Sequence, residues 1–234
     1  NADVVLRSGG LRPVDFRVYK NILASCSPLW ASLFHFPQAS ITLDDGTLLK
    51  IGIEETKDGH IPVITMPEKA AVIYCLLRFL YPGSNPPFSA LDDLTGVLEA
   101  AFKYKMLSSL PCLRRTLLSP SFLQPMPLCV YAIAVQYGLR EEAEEASRCT
   151  LKINITDARL CDDLNSITGS YLQSLIQLHH QRRQDVLGLL NGAWGPSHCS
   201  DPRCTLWIQH FREKARPVVD KRPDGSDVFD LRFL

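Results

Sequence analysis

Phe16-Arg17-Val18-Tyr19-Lys20-Asn21-Ile22-Leu23-Ala24-Ser25-Cys26-Ser27-Pro28-Leu29-Trp30 changes its periodicity part-way along. Phe16 and Val18 alternate with Arg17 and Tyr19, the period of two of a half-buried strand, whereas Ile22 and Leu23 begin a helical turn. Ser27-Pro28 then offers a helix cap with proline in the first turn, and Leu29, Trp30, Leu33 and Phe34 supply the apolar side of a second short helix. Upstream, the apolar run Ala2 to Arg7 and the turn signal Gly9-Gly10 make Val14 to Val18 the second arm of a hairpin. The chain therefore opens as strand, turn, strand and a pair of short helices.

Downstream the pattern weakens from Ile41 to Lys57, where Asp44-Asp45-Gly46 and Asp58-Gly59 punctuate short strands. Ile61 to Met66 reads as another strand. Pro67 is expected to open a helix whose Ala71, Val72, Cys75, Leu76, Phe79 and Leu80 leave little polar surface, so that it should be central and largely buried until Tyr81-Pro82-Gly83 ends it. Ser89 with Asp92 fits a capping box ahead of the stripe Leu94, Val97, Leu98 and Ala101, and a shorter helix follows from Ser109 to Leu118.

Pro125 and Pro127 mark a boundary beyond which the text is all helical. Leu128, Val130, Tyr131, Ile133, Ala134 and Tyr137 form a helix stopped by Gly138. Ser170 to Leu190 carries the stripe Leu172, Leu175, Ile176, His179, Val186 and Leu190; Gly192, Gly195, Pro196 and Pro202 then break the helix into a loop before a short last helix from Leu206 to Ala215. A weak repeat links the two helical hairpins: Ala101, Tyr104, Met106, Arg115 and Leu117 recur as Ala134, Tyr137, Leu139, Arg148 and Leu151, at offsets of 33 or 34 residues. Two copies are too few for a stacked solenoid.

The order of these elements, with Asp3-Val4-Val5-Leu6 followed by the stretch Phe16 to Trp30, resembles the BTB/POZ family. Its N-terminal signature runs Phe-x-Val-His-Lys-x-Leu-Leu-Ala-x-Ser-x-x-Phe; here the histidine is Tyr19, and Trp30, Leu33 and Phe34 supply the bulky apolar end. The wording is similar to BTB proteins abundant in mushroom-forming (basidiomycete) fungi, and residues 125 to about 190 more loosely resemble BACK-type helices. The resemblance implies an α+β fold, a small sheet packed on a helical cluster, followed by an all-α extension. It places a BTB/POZ domain at 1–119, a BACK-like extension at 120–190, and a C-terminal loop, short helix and tail at 191–234.

The same resemblance implies association rather than chemistry: a homodimer made by the first helices and N-terminal strand, acting as an adaptor or scaffold, as several BTB proteins do for cullin-type ubiquitin ligases. The interface it implies comprises Asp3, Tyr19, Lys20, Ile22, Leu23, Leu29, Trp30, Leu33 and Phe34. Physically, the six apolar members are more than one small sheet is expected to cover, so a second copy would hide the remainder; the competing reading makes all six intramolecular core. A scaffold that regulates transcription through recruited partners is the alternative binding role, and a zinc-dependent enzyme is the alternative from another class.

Composition removes other classes. Among 234 residues, 25 Lys+Arg balance 25 Asp+Glu, so the attraction that nucleic acid or an anionic membrane demands is missing. The longest apolar runs, Ala70 to Leu77 and Leu128 to Val135, fall far short of the roughly 20 residues that span a bilayer. Eight cysteines are scattered through apolar stretches and no charged-then-apolar leader is read, which points to a reducing compartment, cytoplasm or nucleus.

No cofactor is expected. The one metal constellation is His198, Cys199, Cys204 and His210, zinc's preferred ligand types, but adjacent His198 and Cys199 cannot readily face one ion, and only five residues separate Cys204 from His210. Reduced surface cysteines are the favoured reading. His179-His180 looks reactive, yet His179 shares a stripe with Leu175 and Val186 and is expected to be packed. Glu141, Glu142, Glu144 and Glu145 would suit a basic partner, but beside Arg140 and Arg148 they read as a solvated face with Ala143 and Ala146 inward. The text has no G-x-S-x-G, G-x-x-x-x-G-K or G-x-G-x-x-G, and no enzyme is expected.

Overall fold

The computed structural model describes residues 2–35, 40–56, 59–81, 83, 86–155, 167–192, 201–230 and 233. The fold is mixed α+β and divides into two compact units, Asn1–Leu117 and Leu118–Leu234. All described strands lie in the first unit.

The first unit opens with β1 (Val4–Arg7) and β2 (Asp15–Val18), continues through α1 (Lys20–Cys26), α2 (Pro28–His35), β3 (Ser40–Thr42), β4 (Leu48–Thr56) and β5 (Gly59–Thr65), and closes with α3 (Ala70–Leu80), α4 (Leu91–Lys103) and α5 (Leu110–Leu117). The sheet order is β2-β1-β5-β4-β3. β1 pairs antiparallel with β2, placing Val4 opposite Val18 and Leu6 opposite Phe16, and parallel with β5 on its other side. A strand held between two neighbours and covered on both faces reads as a continuous apolar run, and Val4, Val5 and Leu6 are all buried.

The expected hairpin forms. Its turn is closed by Ser8, whose backbone N–H donates to the Val14 carbonyl at 3.0 Å while its Oγ accepts from Val14 N–H at 2.8 Å. Arg7 and Asp15 make a two-pronged cross-strand pair, both contacts at 2.7 Å, and the guanidinium holds the Asp15 carboxyl below its usual range. Gly9 meets a further constraint: its N–H donates to the Glu68 carbonyl at 2.8 Å, and a Cβ there would press on the backbone carbonyl of Pro67.

Ser27 ends α1 and caps α2, its Oγ accepting from Trp30 N–H at 3.3 Å and donating to the Tyr104 carbonyl at 2.6 Å. Two expectations for the following helices are corrected. α3 begins at Ala70 rather than Pro67 and is amphipathic rather than central: Ile73, Leu76 and Leu77 are buried, whereas Ala71 and Tyr74 are exposed. The Ser89–Asp92 capping box does not form, because α4 starts one residue later than that box needs and has Ala90 at its cap.

The second unit is helical: α6 (Pro120–Leu123), α7 (Pro127–Gln136), α8 (Arg140–Thr150), α9 (Gly169–Gly192) and α10 (Pro202–Lys221). α7 is its centre, with every residue from Leu128 to Ala134 except Cys129 buried. The repeat has a concrete basis. α4 and α7 end alike: Met106 N–H donates to the Ala101 carbonyl and Leu139 N–H to the Ala134 carbonyl, both at 2.8 Å, around a left-handed residue, Lys105 (φ 51°) in one and Gly138 (φ 67°) in the other.

α10 is longer than its sequence pattern suggested. Pro202 does not prolong a loop; it occupies the first turn, and Asp201 caps the helix by accepting Arg203 N–H at 2.8 Å. α10 and the residues after it pack on α9. Val186 and Leu190 of α9 share a core with Ala215, Val219 and Val228, and Arg212 donates to the Leu190 and Asn191 carbonyls at the end of α9, each at 2.9 Å.

Candidate functional site

Of the nine residues assigned to an interface, the seven apolar or aromatic ones divide into two sets. Leu23, Trp30 and Leu33 are enclosed by their own unit, at 0%, 0% and 5% exposure, so they are core and not an uncovered surface. Trp30 is stacked between Phe34 and Tyr104, with ring centroids 6.0 and 5.6 Å away. Tyr19, at 45% exposure, and the partly open Ile22, Leu29 and Phe34 remain toward solvent on α1, α2 and the residue before them.

The polar members position the helices. Asp3 Oδ1 accepts Lys20 N–H at 2.7 Å, and Tyr81 Oη accepts Tyr19 N–H at 3.0 Å, so the start of α1 is held from two sides. From Lys20 to His35 the chain has no acidic residue and no arginine. The open apolar groups therefore stand on a rigid, nearly uncharged pair of helices.

Beneath them lies a polar cluster that spacing alone did not reveal. Glu68 accepts hydrogen bonds from the Tyr104 hydroxyl and, at 2.8 Å, from Lys103 Nζ, and Lys103 also lies 3.7 Å from Asp45. Burial pushes the Tyr104 phenol well above its ordinary range, and its bond to Glu68 adds to that. The partners are 35 and 36 residues apart and carry no motif, so only the fold brings them together.

Of the candidate zinc ligands, His198 and Cys199 lie outside the described residues. Cys204 and His210 are both on α10, six positions apart, which turns them about 120° from each other and sets them roughly 9 Å apart along the axis, too divergent for one ion. Among the described residues no group of three or more His, Cys, Asp or Glu is arranged to hold a metal. Cys26, Cys75 and Cys149 are free thiols.

His179 is buried, and the tautomer of its neutral ring is fixed by its neighbour. Thr150 donates its hydroxyl proton to the Ser147 carbonyl at 2.6 Å, so His179 Nε2, 2.9 Å from Thr150 Oγ1, must be the donor between them. Burial holds this imidazole below its ordinary range. Glu142 departs from the expected solvated face: at 5% exposure it is buried, while Glu141, Glu144 and Glu145 remain outside.

A groove of about 520 Å³ lies in the second unit, walled by α7, α8 and the first half of α9. Its depth comes from small residues, Ala134, Gly138, Ala143 and Ser147, set among Tyr131, Leu139, Tyr171, Leu175 and Leu178. Among the described residues no helix is long and apolar enough to cross a membrane. The chain matches no family model, and no curated protein matches it.

Proposed function

We propose that the chain is a non-catalytic protein–protein interaction module of BTB type, which pairs with a second copy through its first unit and serves inside the cell as an adaptor or scaffold. The observation that carries this reading is the split on α1 and α2: Leu23, Trp30 and Leu33 fill the core, while Ile22, Leu29 and Phe34, with Tyr19, stay partly open. Charge is depleted at the centres of protein interfaces and aromatic residues are enriched there, which is the character of this helix pair. The order of hairpin, helix pair, further strands, single helix and helical hairpin also agrees with the BTB resemblance.

Burying the open groups against the same groups of a second copy would give an isologous interface, and lasting homodimers commonly bury about 2,000 Å² or more. A cullin contact rests on the resemblance alone and is the narrower part of the proposal. Sedimentation equilibrium of the full chain and of Leu29→Asp and Phe34→Asp tests the dimer. The wild type should be dimeric and both variants monomeric with unchanged circular dichroism; a monomeric wild type would overturn the reading. Capture by a cullin N-terminal domain tests the adaptor role separately, and no complex at micromolar concentration counts against it.

A further inference from the structure

We draw no further inference here: the strongest candidate, the groove of about 520 Å³ walled by α7, α8 and the first half of α9, is an apolar hollow whose charged lining is a single Arg140–Glu144 pair of zero net charge, and nothing in the structure shows what covers it.

Discussion

The Asp3 carboxylate accepts the backbone N–H of Lys20 at 2.7 Å, so a residue just before β1 caps a helix that begins seventeen positions later. α1 has no capping side chain of its own at Tyr19. Removing Asp3 leaves a first-turn donor to water and loosens the helix pair whose outer side is proposed to meet a second copy. Asp3→Ala should lower stability by about 1 kcal/mol in urea unfolding, the usual loss for a helix cap, whereas Asp3→Asn, which keeps the acceptor, should lose much less. Equal losses would show that charge and not the hydrogen bond holds the junction.

Gly9 and Gly10 are adjacent but constrained by different physics. Gly10 has φ 98° with open space where a Cβ would stand, so Gly10→Ala meets backbone strain alone. Gly9 is pinned against Pro67 by its bond to the Glu68 carbonyl, so Gly9→Ala must move one backbone segment away from another. Gly9→Ala should therefore cost more stability than Gly10→Ala, about 2–3 kcal/mol against about 1 kcal/mol, and so lower the thermal midpoint further.

These two positions show where sequence reading stops. Both glycines signal a turn, and the alternation of Val14, Phe16 and Val18 places the hairpin, because local periodicity reports which side of a strand is covered. The approach of Pro67 is a contact between segments 58 residues apart and leaves no local trace. Ser27-Pro28 marks the start of α2 correctly because a cap acts within one turn. Asp201-Pro202 has the same grammar, yet with Gly192, Gly195 and Pro196 before it the proline reads as a breaker. Tyr104 and Glu68 look ordinary in sequence for the same reason as Gly9: their meeting depends on how α4 packs. The division of α1 and α2 into covered and open apolar groups was equally hidden, since composition counts greasy residues but not which of them the sheet and α4 enclose.

The matched ends of α4 and α7 give a pair of opposite effects. A left-handed conformation costs a non-glycine residue roughly 1 kcal/mol, and Lys105 bears that cost where Gly138 does not. Gly138→Ala should destabilise by about 1 kcal/mol. Lys105→Gly should stabilise by a smaller amount, because the flexible residue also raises the entropy of the unfolded chain and the exposed Lys105–Asp44 ion pair, at 2.9 Å, is lost. Denaturant midpoints at constant m-value would measure both, and changes of the same sign would refute the shared-cap argument.

His179 should make the second unit sensitive to acid. Its folded pKa lies below the ordinary 6.5 because burial disfavours the imidazolium. The hollow it lines also holds His180, Arg183, Asp220 and Lys221; Asp220 is already engaged by Arg183 at 2.7 Å, so no uncommitted carboxylate there waits to stabilise a second positive charge. The unfolded chain then takes up a proton before the folded one does, so stability is complete above pH 6.5 and falls as pH drops below it, levelling off only once the folded histidine is protonated too. His179→Gln can keep a donor to Thr150 Oγ1 without titrating in this range. Thermal unfolding followed at pH 7.5, 6.5 and 5.5, with the Thr150 amide as a local probe, should show a wild-type decline that is shallower in His179→Gln. Parallel declines would mean that carboxylates elsewhere, and not this imidazole, govern the loss.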